Sequence, residues 1–202
     1  VCRYSYQRTF VEEYRIAPGY DNWRKGNAPY AFRPFETGPK DFLVRGVEYP
    51  EYEERPAAFI GGGTFEIEKP KEYRHNRQLT LPEDPRERYA GFARSEMESV
   101  LDYDVQEFKF KLGTGDPSKI SAGHFSLFDL GLNDTGMLRL NVTCSSKTTL
   151  YILFDECLTD GVIDPIRMGA CNAMRYEIEP GSYDLMGLEP MTLKVLGLIV
   201  TE

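Results

Sequence analysis

The feature that most constrains this chain is the run from His124 to Val200, where short apolar stretches alternate with turn signals at close, regular intervals. Phe125–Leu130 is the first stretch, and Gly131–Gly136 is expected to break it. In Met137–Val142, Leu138, Leu140 and Val142 alternate with Arg139 and Asn141. A period of two puts one face of a strand on a core and the other toward solvent. Thr148–Phe154 is β-branched and aromatic without interruption, the pattern of a strand covered on both faces. Asp160-Gly161 is a turn dipeptide. Ala173–Ile178 alternates again and is closed by Glu179-Pro180-Gly181. Tyr183–Leu185 is short, and Thr192–Val200 completes the set. Several short strands punctuated this regularly define an all-β class, a jelly-roll-like antiparallel β-sandwich.

The remainder of the chain decorates that unit. Residues 1–14 contain an alternating stretch, with Tyr4 and Tyr6 against Arg3 and Gln7, and are assigned to a strand of the sandwich or of an upstream part. Residues 15–60 carry Pro18, Pro29, Pro34, Pro39, Pro50 and Pro56, so they predict irregular chain. They also carry Tyr20, Trp23, Tyr30, Phe32, Phe35, Phe42, Tyr49 and Tyr52, too much apolar surface for a solvated linker, so a docked segment is expected. Residues 61–202 form the sandwich domain. Gly61-Gly62-Gly63 is expected as a hinge or tight turn, with a strand over Thr64–Glu68. Asp84 as N-cap, Pro85 at N1 and Glu87 at N3 predict one helix near 84–101. Val105–Leu112 alternates as a strand. The chain opens inside a candidate strand and stops directly after another, and so reads as a segment of a longer polypeptide.

Charge and composition narrow the function. A net charge of -8 and pI near 5.0 argue against a phosphate-backbone binder, so no nucleic-acid partner is expected. No apolar run approaches the about 20 residues of a membrane helix, and no membrane partner is expected. Cys2, Cys144, Cys157 and Cys171 are dispersed without a CxxC pair, which disfavours zinc and predicts buried free thiols; Cys157 and Cys171 are near enough in sequence to approach each other. His75, beside Arg74 and Arg77, reads as a hydrogen-bonded surface residue.

The carboxylates Asp129, Asp155, Glu156, Asp160, Asp164, Glu177, Glu179 and Glu189 invite a test for glycoside hydrolysis, which needs two carboxyl groups across one sugar. Asp155 and Glu156 are neighbours and point to opposite faces of a strand, so they do not form that pair. Glu156 is expected instead to make a structural ion pair with Arg167 across the intervening turn. Asp160-Gly-Val-Ile-Asp164 offers oxygens to calcium but lacks the DxDxDG spacing, so no cofactor is expected, calcium being the one weak candidate. Among the aromatics, Trp23 and Tyr30, with Asp21 and Arg33 nearby, are the candidate carbohydrate contacts, since rings stack on sugars and polar side chains bind their hydroxyls.

In order, the chain presents Phe128-Asp-Leu-Gly131, Thr135-Gly136, Leu150–Glu156, Asp160-Gly161, Arg167, Tyr176, Pro180-Gly-Ser-Tyr183 and Glu189-Pro190. This succession resembles the β-sandwich region of bacterial α-L-rhamnosidases. The motifs are short, and their order and spacing over residues 125–200 carry the resemblance. Trp23–Pro50, with Ala28-Pro-Tyr30 and Arg33-Pro34, is similar to the irregular segment that some members carry before that sandwich. In the family the sandwich precedes an (α/α)6 barrel that holds the catalytic carboxylates, so the resemblance implies no catalytic residue here. The aromatic and histidine expected after Glu-Pro are replaced by Met191-Thr192-Leu193. It implies a non-catalytic segment bracing a catalytic domain of the same chain, in a periplasmic or secreted bacterial glycoside hydrolase. A self-standing carbohydrate-binding module and a purely structural interaction domain are the alternatives.

Overall fold

A computed structural model describes residues 12–26, 38–49, 52–67, 108–165, 167 and 172–202. The candidate helix near 84–101 and His75 lie outside them. Among the described residues nine strands follow in order: β1 Glu13–Ile16, β2 Ala58–Ile67, β3 Phe108–Gly113, β4 His124–Gly136, β5 Arg139–Cys144, β6 Thr148–Asp155, β7 Ala173–Ile178, β8 Gly181–Met186 and β9 Met191–Val200. The fold is all-β, with a seven-stranded sheet ordered β1-β7-β6-β9-β4-β2-β3 and a two-stranded sheet of β5 and β8. Two compact units emerge: Val1–Pro18 with Ala57–Glu202, and Gly19–Pro56.

Strand position explains burial pattern. β6 lies between β7 and β9, and every residue from Thr149 to Asp155 is buried. That is why Thr-Thr-Leu-Tyr-Ile-Leu-Phe carries no alternation. β9 lies between β6 and β4 and buries Met191, Leu193, Val195, Gly197 and Ile199 on one face, with the other face half-covered along most of its length. Across these strands Phe65, Phe125, Leu127, Tyr151, Leu153, Ile163, Ala173, Val195 and Ile199 make one apolar cluster. Rings interlock within it: Phe110 meets Phe125 edge-on at 4.9 Å, and Phe108 meets Tyr151 edge-on at 6.2 Å. Each fully buried large side chain contributes roughly 1.5–3 kcal/mol.

Three expectations need correction. The sheet is mixed, because β1 runs parallel to β7, with Glu13 opposite Arg175 and Ile16 opposite Ile178. No hairpin joins these two strands, so chain connection does not impose antiparallel pairing. Gly61-Gly62-Gly63 is neither hinge nor turn: all three lie inside β2. A Cβ on Gly62 would stand 2.5 Å from the Phe125 carbonyl oxygen and 2.9 Å from Gly115 Cα, and one on Gly63 would overlap the Lys111 carbonyl oxygen. Glycine is present because neighbouring backbone passes too close for any side chain. Finally, Gly131–Gly136 does not end a strand. β4 continues through it with a shift of register, advancing from Asp129 to Asp134 while β9 moves only from Val195 to Leu193. Gly131 has φ +81° and its N–H donates to Asp129 Oδ1 at 2.6 Å, so a bulge absorbs the extra residues.

The described residues of the Gly19–Pro56 unit have little regular structure. A 3-10 turn, Asn22–Lys25, ends at Gly26 in the left-handed conformation, whose N–H reaches the Asn22 and Trp23 carbonyls. Further along, Phe42, Leu43 and Val44 are 89%, 94% and 96% exposed. Arg45 lies over the Tyr49 ring at 4.2 Å.

Candidate functional site

The end of β6 and the hairpin after it hold Asp155, Glu156 and Arg167, the charged groups weighed above for an ion pair. Asp155 is the last residue of β6 and is 3% exposed, whereas Glu156 is exposed. The alternation of a strand sends their carboxylates to opposite sides. Arg167 therefore pairs with Asp155 and not with Glu156: its Nε donates to Asp155 Oδ2 at 2.7 Å. Asp155 Oδ1 accepts the Glu156 N–H at 2.8 Å. The Arg167 Nη2 reaches Thr159 Oγ1 at 2.6 Å and the Cys157 carbonyl at 3.4 Å. Hydrogen bonding to Asp155 is the main cause that holds the Arg167 guanidinium above its ordinary pKa. One cation thus fastens a buried carboxylate and the turn that follows it.

That turn is the one expected at Asp160-Gly161. Both residues take positive φ, 51° and 79°, and Thr159 and Val162 exchange backbone hydrogen bonds at 2.8 and 3.0 Å. Successive left-handed residues suit a two-residue hairpin. Val162 and Ile163 then lead the chain back over the sheet, with Ile163 2% exposed in the apolar cluster. Asp160 is exposed and Asp164 half-buried. Among the described residues, no three His, Cys, Asp or Glu side chains group closely enough to hold a metal ion. Cys144 is buried, but Cys157 is exposed, against the expectation of buried thiols, because it lies in the turn and not on a covered strand. Cys2 and Cys171 lie outside the described residues.

Two of the other carboxylates, Asp129 and Glu177, are committed to bonds within the fold. Asp129 accepts the Gly131 N–H. Glu177 binds Arg175 at 2.7 Å and Arg15 at 3.4 Å. Glu179 and Glu189 are exposed.

Of the four candidate carbohydrate contacts, the structure places two. Trp23 is 52% exposed within the 3-10 turn, and the Arg24 guanidinium lies 5.3 Å from its ring centre. Asp21 is half-buried just before that turn, and its carbonyl accepts the Arg24 N–H at 2.9 Å. Tyr30 and Arg33 lie outside the described residues. Among the described residues, no helix is long and apolar enough to cross a membrane.

A group that sequence reasoning missed is Glu12. Its carboxylate accepts the backbone N–H of Leu188 at 3.0 and 3.1 Å, the N–H of Glu189 at 2.7 Å and the Tyr14 hydroxyl at 2.5 Å. Burial, reinforced by the bond to Glu12, raises the Tyr14 phenol well above its ordinary pKa. The Glu-x-Tyr-x-Ile alternation of Glu12, Tyr14 and Ile16 was its visible trace, but no spacing in the sequence links Glu12 to Leu188.

No protein-family model matches the chain, and no curated protein matches it. Among solved structures, a GH78-family rhamnosidase from Bacillus sp. GL1 aligns with 55% of this chain and 14% of its own, at 14% identity and a TM-score of 0.45.

Proposed function

We propose that this chain is a non-catalytic β-sandwich segment of an α-L-rhamnosidase-like glycoside hydrolase, bracing the catalytic barrel and contacting polysaccharide. The ordered motifs between residues 125 and 200 support this reading. So does their use. Asp155, which falls within the most hydrophobic of those motifs, is buried and held by Arg167. A carboxylate so enclosed serves as an internal tie and has no open position for a sugar. This brace is the observation that carries the proposal.

The test has two arms. The purified chain releases no nitrophenol from p-nitrophenyl α-L-rhamnopyranoside; turnover that Asp155→Asn or Glu156→Gln abolishes would overturn the non-catalytic role. In a polypeptide that joins this chain to its barrel, Arg167→Met lowers the melting temperature and leaves KM unchanged. A raised KM at unchanged stability would instead put Arg167 in substrate recognition.

A second reading, a self-standing carbohydrate-binding module, is favoured by the exposed Trp23. It is the only tryptophan, so its fluorescence reports on this site alone. A carbohydrate-binding module has that emission change saturably with rhamnose. A flat titration to high millimolar sugar removes this alternative.

A further inference from the structure

β1 is an edge strand of four residues that runs parallel to its neighbour, in register from Glu13 opposite Arg175 to Ile16 opposite Ile178. The Arg175 N–H donates to the Glu12 carbonyl at 3.2 Å and the Glu179 N–H to the Ile16 carbonyl at 2.8 Å. What distinguishes the strand is the treatment of every second side chain. Glu12 is received by the consecutive N–H groups of Leu188 and Glu189 in the turn between β8 and β9. Tyr14 stacks on Tyr176 with ring centres 4.7 Å apart and planes 10° from parallel. Ile16 is 3% exposed, opposite the fully buried Ile178. The intervening Glu13 and Arg15 point outward; their ion pairs with Arg175 and Glu177 lie at 3.2 and 3.4 Å. Ala17-Pro18 then ends the pairing, since proline has no N–H to offer.

This is how a peptide is recognised when it adds a strand to a sheet edge: main-chain bonds give a general affinity and alternate side-chain sites give the choice of sequence. We propose that the β7 edge, together with the Leu188–Glu189 turn, is a strand-acceptor site for the sequence Glu-x-Tyr-x-Ile. It is filled in this chain by its own residues 12–16, and it accepts the same segment from a second copy. The receiving groups stand on β7 and on the β8–β9 turn, which the sheet secures through β6 and β9, so the acceptor persists when β1 leaves. Exchange of β1 between two copies makes a symmetric dimer without any new contact.

The probe is a fluorescein-labelled peptide Glu-Glu-Tyr-Arg-Ile-Ala-Pro, copied from residues 12–18. The full chain carrying Tyr14→Ala and Ile16→Ala, which weakens its own strand, binds this peptide saturably. The unaltered chain binds it about tenfold more weakly or less, because the internal copy competes. Changing the peptide residue equivalent to Glu12 to Gln weakens binding about tenfold, the loss expected for charge-assisted bonds. Absence of saturable binding to the folded variant, or equal binding of both peptides, overturns the proposal. If the variant does not fold, amide exchange on the unaltered chain decides. The amides of Arg175, Glu179, Leu188 and Glu189 then exchange together and ahead of those in β4 and β9. Exchange only in step with β4 and β9 overturns the acceptor site.

Discussion

In β6 every residue from Thr149 to Asp155 is buried, whereas Phe42, Leu43 and Val44 in the Gly19–Pro56 unit are almost wholly exposed. Both stretches are rich in the same aliphatic and aromatic side chains. What differs is the backbone. β6 has ladder partners on both sides, so its polar groups are satisfied while its side chains are covered. The segment around Phe42 is bounded by Pro39 and Pro50 and forms no strand. Apolar content therefore does not by itself make a core. It makes one where the backbone is paired.

The contrast can be broken most sharply with two matched truncations. Phe125→Ala, in the ring cluster, is expected to cost about 3–5 kcal/mol. Phe42→Ala is expected to change stability by less than about 0.5 kcal/mol. Urea unfolding followed by far-ultraviolet circular dichroism measures both, and equal losses would end the distinction between the regions.

A smaller effect tests the charged brace. Removing the partner of a buried charge is costly, so Arg167→Met should lose about 3 kcal/mol. Glu156→Gln should lie within about 0.5 kcal/mol of the parent, as its side chain is exposed. The reverse ranking in the same unfolding assay would restore Glu156 as the partner. Glycines give the next step down. Gly63→Ala should cost about 1–3 kcal/mol by forcing β2 from β3. At Gly46, where a Cβ meets nothing within 4 Å, Ala is expected to be neutral or slightly stabilising.

The smallest effect is a pH slope. The Tyr14 phenol has a raised pKa, so in alkali the folded chain keeps a proton that the unfolded chain has lost. Its contribution is complete below the ordinary tyrosine value of 10.0 and declines as pH rises above it. Unfolding midpoints measured from pH 8 to pH 11 should fall at the alkaline end, less steeply in Tyr14→Phe. An unchanged slope in that variant would remove Tyr14 as the source.

Much of the sheet was legible in the pattern of residues. Period-two alternation located β3, β5 and β7, and the uninterrupted run Thr148–Phe154 identified a strand covered on both faces. Asp160-Gly161 announced its hairpin because two successive left-handed residues favour that dipeptide. Gly131–Gly136 misled for a related reason: turn chemistry inside a long strand makes a bulge when a partner strand holds both sides. Trp23 and Tyr30 were chosen as carbohydrate-contact candidates for their rings, and Asp21 and Arg33 for the polar groups beside them, but side-chain type alone does not say what surrounds a ring.

The sequence by itself determined the all-β class and where its central strands lie, because alternation and turn residues are local properties of a chain. Tertiary structure alone decided that Asp155 and not Glu156 meets Arg167, that Gly62 and Gly63 are spacers between close backbones, and that Glu12 finds the amides of Leu188 and Glu189. Each of these depends on residues distant in sequence arriving within a few ångströms of one another, and on which side of a strand a side chain then faces.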